Sequence, residues 1–175
     1  MDKNSNIREE LLECIKYWIL NLFELKENLK TILIILILFL SDEIDWIKKD
    51  SLNLILDLGN KYFDENENEI ENKFKLRIKL KEPFHYQKGE EDDKNILPNF
   101  KSRRLIKNYS KILIQIVSDK IIQWDINIKL KYLKFLSNIL IFFEEYSILY
   151  LKNIFMILLE ALMDSNDLNL KFEVN

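Results

Sequence analysis

TILIILILFLSDEIDWIKKDSLNLILDLGNKYF, residues 31–63, is the stretch that decides the fold. It predicts an apolar helix, a tight acidic turn and a second, amphipathic helix. Ile32 to Leu40 is one unbroken apolar run of nine residues. A helix of that length rises only about 14 Å, and crossing a bilayer takes about 20 residues, so the run reads as a helix buried between neighbours. Ser41-Asp42-Glu43 then interrupts the pattern. Ser41 or Asp42 is placed to cap the next helix by accepting from its free N–H groups, and Glu43 and Asp45 suit the positive end of its dipole. Ile44, Ile47, Leu54, Ile55 and Leu58 recur at helical spacing. Gly59 follows that stripe directly and is expected to end the helix in the left-handed conformation.

The rest of the chain repeats this hairpin. Of its 175 residues, 48% are hydrophobic and 31% charged, a globular balance with room for one core or a few repeats. Two glycines and two prolines leave little material for β-hairpin turns, so the expected fold class is all-α. Isoleucine, used heavily here, has only middling helix propensity, and helical stability has to come from packing. The net charge of −3 argues against nucleic-acid binding by the whole domain. The single cysteine, Cys14, rules out an intramolecular disulfide framework and a Cys-based zinc cluster. Set among Leu11, Leu12 and Ile15, it reads as a buried, inert thiol. The polar opening MDKNSNIREE has no signal-peptide core behind it, which predicts a cytosolic or nuclear protein.

Three regions follow. Residues 1–63 hold a first helix over 5–28, capped by Ser5 or Asn6 with Glu9 in a capping box, and then the first hairpin. Residues 64–100 form a charged, mostly irregular insertion, either a binding element or plain disorder. In it an acidic run, DENENEIEN, precedes KFKLRIKLK, where basic and apolar residues alternate. Residues 101–175 return to helices: 102–117, a break at Ser118-Asp119-Lys120, then 125–143 and 148–163, and an acidic turn at 164–167.

An apolar–Lys pair recurs after each acidic or polar turn: Ile47-Lys48, Ile128-Lys129 and Leu170-Lys171, at intervals of 81 and 42 residues. One interval fits the HEAT and armadillo period of about 40–47 residues and the other is near two periods. With Asp42 in the turn and Ser51 at a small position, the pattern resembles the HEAT repeat. Lys stands where that repeat favours Arg, which removes bidentate pairing to the turn carboxylates. The reading is an α-solenoid of HEAT-like helical hairpins interrupted by a long charged loop.

No catalytic constellation emerges. The sequence has no Gly-rich phosphate loop, no His/Cys metal spacing and no nucleophile elbow. His85, the single histidine, lies in the insertion and reads as solvated or structural. The stripe Lys73, Lys75, Arg77, Lys79 and Lys81 either grips an acidic partner or neutralises the acidic run before it. Trp46 and Trp124, at the starts of second helices, read as packing residues. The expectation is a protein without enzymatic activity and without cofactor.

One family resemblance covers most of the chain. FLSDEIDWIKKDSLNLILDLGNKYFDENENEIENK is similar to a signature segment of the HEAT-repeat dynein axonemal assembly factors: an apolar run, an Asp-Glu turn, a helix, Gly before an aromatic, and a Glu-Asn-Glu run. Pro83, His85 and Tyr86 then resemble the family's Pro/His/Tyr loop, and Ser102-Arg103-Arg104-Leu105-Ile106 its Arg-containing helix start. A Trp-led helix from Trp124 to Ile141 and the break at Glu144-Glu145 complete the order, over roughly residues 31–172. The resemblance implies a cytoplasmic scaffold for preassembly of axonemal dynein arms in cilia or flagella, with axonemal dynein chains and chaperone machinery as protein partners, and an internal segment of a longer array. Two other readings stand beside it: a HEAT module of another complex, and a membrane-associated helical protein using residues 29–40 and 139–163.

Overall fold

Each helix buries at least one stripe of apolar residues, and those stripes set the order of packing. The computed structural model describes residues 4–21, 27–65, 98–123 and 125–163. Its helices are α1 (Ser5–Asn21), α2 (Leu29–Phe39), α3 (Asp45–Glu65), α4 (Phe100–Asn108), α5 (Ser110–Ile121), α6 (Ile126–Phe143) and α7 (Leu151–Met163), with a 3₁₀ segment, η, over Glu144–Tyr150. Among the described residues there is no strand. The fold is all-α, an array of stacked helices consistent with a repeat solenoid.

The packing links both sequence neighbours and distant helices. α1 packs on α3, α2 on α3 and α6, and α4 on α3, α5 and α6. α5 packs on α6 and α7, and η on α6 and α7. One continuous core results, from Leu12 and Ile15 of α1 through Ile32, Leu33, Leu36 and Ile37 of α2 to Phe135, Phe142 and Phe143 of α6 and Ala161 of α7. The Ile32–Leu40 run thus forms most of α2, held between α3 and α6. Apolar residues on all its faces, a poor solution for a surface helix, suit an element covered from two sides.

The second helix of the hairpin is longer than its periodicity predicts. Gly59 does not end it: α3 continues to Glu65, and no described glycine has a positive φ. A Cβ at Gly59 would lie 2.5 Å from the Ser102 backbone nitrogen and 2.6 Å from its Cα. The glycine is there because α4 crosses α3 at that point, with Ser102 fully buried against it. Packing, and not backbone conformation, requires the missing side chain.

Other boundaries shift for local reasons. The α1 cap is Asn4, whose Oδ1 accepts from the Asn6 N–H at 3.0 Å, and not Ser5 or Asn6. The helix predicted over 102–117 is two helices, broken at Tyr109 with φ −101 and ψ 5. The break expected at Ser118-Asp119-Lys120 is absent, because each polar group satisfies itself within the helix. Ser118 donates to the Ile114 carbonyl at 3.2 Å, and Asp119 accepts from Gln115 at 2.7 Å. The helix predicted over 125–143 is α6, capped by Asp125, which accepts from the Asn127 N–H at 2.8 Å. The segment from Ile148 begins as the end of η, not as α-helix.

Cys14 is exposed, contrary to its apolar sequence neighbourhood. The core-facing stripe of α1 is Arg8, Leu12, Ile15 and Ile19, at spacings of four, three and four. Cys14 lies off that stripe, as do Trp18 and Leu20, which are 41% and 72% exposed. With α3 as its principal neighbour, α1 buries one face only.

Candidate functional site

The turn between α2 and α3 holds the densest polar chemistry among the described residues. Asp42 is buried there, and its Oδ1 accepts from the Ile44 N–H at 3.0 Å, fixing the entry to α3. Its carboxylate also meets Arg8 of α1. Arg8 Nε lies 2.8 Å from Asp42 Oδ2, and Arg8 Nη2 donates to Asp42 Oδ1 at 3.2 Å and to Glu43 Oε1 at 2.9 Å. The Arg8 and Asp42 side chains are only 5% and 2% exposed, whereas Glu43 is 78% exposed. Desolvation pulls the guanidinium down, but the hydrogen bonds and charges of Asp42 and Glu43 outweigh it and hold Arg8 above its ordinary value. The turn carboxylates are therefore paired by an arginine of α1, through one hydrogen bond each to Asp42 and Glu43 and a close charge contact with Asp42.

Two further ties gather around this turn. Asn138 of α6 donates to the Ile37 carbonyl at 3.0 Å and to Ser41 Oγ at 2.8 Å. It satisfies a carbonyl in the last turn of α2, where the helix supplies no partner. At the far end of α1, Lys61 of α3 donates to the Ile19 carbonyl at 2.9 Å, placing a cation at the negative end of that helix.

The repeat-signature residues take different roles. Ile47 is fully buried and Ser51 lies buried one turn on. Lys48 is partly exposed and pairs with Asp45 at 2.8 Å, and its hydrogen bond and charge hold the fully exposed Asp45 carboxyl below the usual range. Ile128 is half-buried, while Lys129 is 2% exposed on the core-facing side of α6. Trp46, read as a packing residue, is 40% exposed. It begins an outward row on α3 with Lys49, Asn53 and Asp57. The row on α6 is Asn127, Lys134, Ser137 and Ile141. α3 and α6 are linked through α2 and α4, each of which packs on both. Lys73, Lys75, Arg77, Lys79 and Lys81, together with His85, Trp124, Leu170 and Lys171, lie outside the described residues.

The sequence reading missed Arg8 and Asn138. Arg8 carried a signal: it occupies the first position of an apolar stripe, four residues before Leu12, where a charged residue needs a buried partner. Asn138 carried none, since its partners lie about a hundred positions away.

The arrangement is that of a helical-repeat protein whose hairpins are locked by buried polar ties. Among the described residues no group of three or more His, Cys, Asp or Glu could hold a metal ion, and no helix is long and apolar enough to cross a membrane. Residues 1–73 match the family model described as dynein axonemal assembly factor 5-like, TPR repeats. The matched segment is less than half of the chain and contains α1, α2, α3 and the Arg8–Asp42 tie. It overlaps the resembling stretch from residue 31 and adds α1 to it. The description speaks of TPR repeats where the sequence pairs point to the longer HEAT period; both are stacked helical hairpins. No curated protein and no solved structure matches the chain.

Proposed function

We propose that the chain is a non-enzymatic helical-repeat scaffold that works in the cytoplasm in the preassembly of axonemal dynein arms. The observation that carries the reading is the family match over residues 1–73, which falls on the hairpin and its buried tie. Repeat arrays of this kind bind proteins along surfaces formed by neighbouring units. The binding surface proposed is the outward rows of α3 and α6, assisted by Lys73, Lys75, Arg77, Lys79 and Lys81. Its partners are axonemal dynein chains and the chaperones that fold them.

The test is affinity purification of the tagged chain from cells building flagella, read by mass spectrometry. Axonemal dynein chains recovered together with chaperones are the expected result. Recovery of general chaperones alone, or of the subunits of an unrelated complex, would overturn the reading. Reversing the five basic charges is expected to reduce the capture; undiminished capture removes the stripe from the surface.

A further inference from the structure

Three side chains from α4 and α5 reach residues of η. Arg103 of α4 forms an ion pair with Glu144 at the start of η. Lys107 lies over the Tyr146 ring, 5.7 Å from its centroid, within cation–π reach. The Ser110 and Tyr150 hydroxyls are 2.8 Å apart. Arg103 and Lys107 are four residues apart on one face of α4, and Ser110 opens α5 just past the joint at Tyr109. Tyr146 and Tyr150 also pack against Phe143, at centroid distances of 6.0 and 5.9 Å.

The backbone at the start of η is under strain. Glu144 has φ 47 and ψ −124, the one positive φ among the described non-glycine residues. A residue with a side chain persists there only when its surroundings impose the conformation. Its carbonyl accepts from the Ser147 hydroxyl at 2.6 Å. The 3₁₀ geometry then continues for seven residues, beyond the usual three or four, a pattern that marks hinges and strained sequence. α7 begins where η ends and packs on α5 and on η.

We propose that residues 144–150 are a strained strap, fastened at Glu144 by Arg103, which clamps α7 onto the array and lets the strap and α7 come away together when the fastening is released. The ion pair offsets the strain. The Arg103 side chain is 25% exposed and that of Glu144 38%, so the pair is shielded on the arginine side and open to water at the carboxylate. Without it, Glu144 relaxes to an ordinary φ, the strap leaves Arg103, Lys107 and Ser110, and α7 loses one of its two supports. α1, α2 and α3 are untouched by the change.

The test uses the full chain, with thermal melting and hydrogen exchange read by mass spectrometry. At an ordinary helical position alanine stabilises relative to glycine; at a positive φ the order reverses. Glu144→Gly is therefore expected to melt above Glu144→Ala. In Arg103→Gln the amides of residues 151–163 should exchange at least tenfold faster, while those of α2 and α3 keep their wild-type rates. Melting of Glu144→Ala above Glu144→Gly would overturn the strained joint. Unchanged exchange in α7, or a uniform increase along all helices, would overturn the clamp.

Discussion

At the scale of single residues, the stability of the first hairpin rests on an arginine and a glycine. Arg8 and Asp42 are both buried, so removing one strands the other as an uncompensated charge. Arg8→Met is expected to lower stability by roughly 3 kcal/mol, the low end of the range for a broken buried pair because Glu43 at its rim is solvated. Urea unfolding measures it. The double variant Arg8→Met/Asp42→Asn should lose less than the two single changes added together, since each removes the other's penalty. Gly59 makes the opposite point about propensity. Alanine is favoured over glycine by about 1 kcal/mol inside an exposed helix. At Gly59 the new methyl group meets the backbone of Ser102, which no rotamer change can move. Gly59→Ala is expected to destabilise by about 1–3 kcal/mol; a variant as stable as the parent would show that α3 and α4 can separate slightly at no cost. The glycine's importance was legible in the sequence, from its scarcity and its place after an apolar stripe. Its reason was not, because the residue it faces is some forty positions away.

At the scale of elements, sequence periodicity located the helices and misplaced their ends. α6 was legible almost to the residue, because Asp125 is a capping residue standing before an uninterrupted apolar pattern. α5 was not: Ser118 and Asp119 look like a break, and only their hydrogen bonds within the helix show otherwise. The joint at Tyr109 was hidden because both flanking helices share one apolar face. That joint has a pH signature. Burial, with Tyr62 nearby, pushes the Tyr109 hydroxyl above its ordinary value near 10, and burial does the same for Tyr132 on α6. A group whose value is raised by folding contributes stability that is fully present below the unfolded value. That stability is lost as pH rises through the folded one. The chain is therefore expected to hold constant stability from this source up to about pH 10 and to lose it above. Tyr109→Phe and Tyr132→Phe should flatten the alkaline limb of a melting-temperature profile. An identical limb in both variants would place the loss elsewhere.

At the scale of the whole molecule, the packing joins helices far apart in the chain: α1 packs on α3, and α2 reaches α6. The residues that match the assembly-factor family carry α1, α2 and α3, and the strap packs on α6 and α7. α2 and α6 tie the middle together through Asn138. Asn138→Ala is expected to cost about 1 kcal/mol, the net worth of an intramolecular hydrogen bond made by a half-buried side chain. Probes placed in α2 and in α6 should still unfold in a single transition, shifted together. Separate transitions would mean that the two hairpins fold independently. The all-α class and the hairpin grammar could be read from composition and spacing. The pairing of α2 with α6 could not, since both present broad apolar faces that would fit other partners equally well.

The direct packing of α3 on α4 has a consequence for how this chain can change length. These helices stand on either side of residues 66–97 in the sequence, and they meet directly at Gly59 and Ser102. For a flexible Gly/Ser insert placed between them, each doubling of the insert's length costs only about 0.6 kcal/mol of closure entropy. The junction is thus a point where added residues are expected to carry little penalty. It is also where an experimenter could splice in a fluorescent reporter while the helices on either side stay in register.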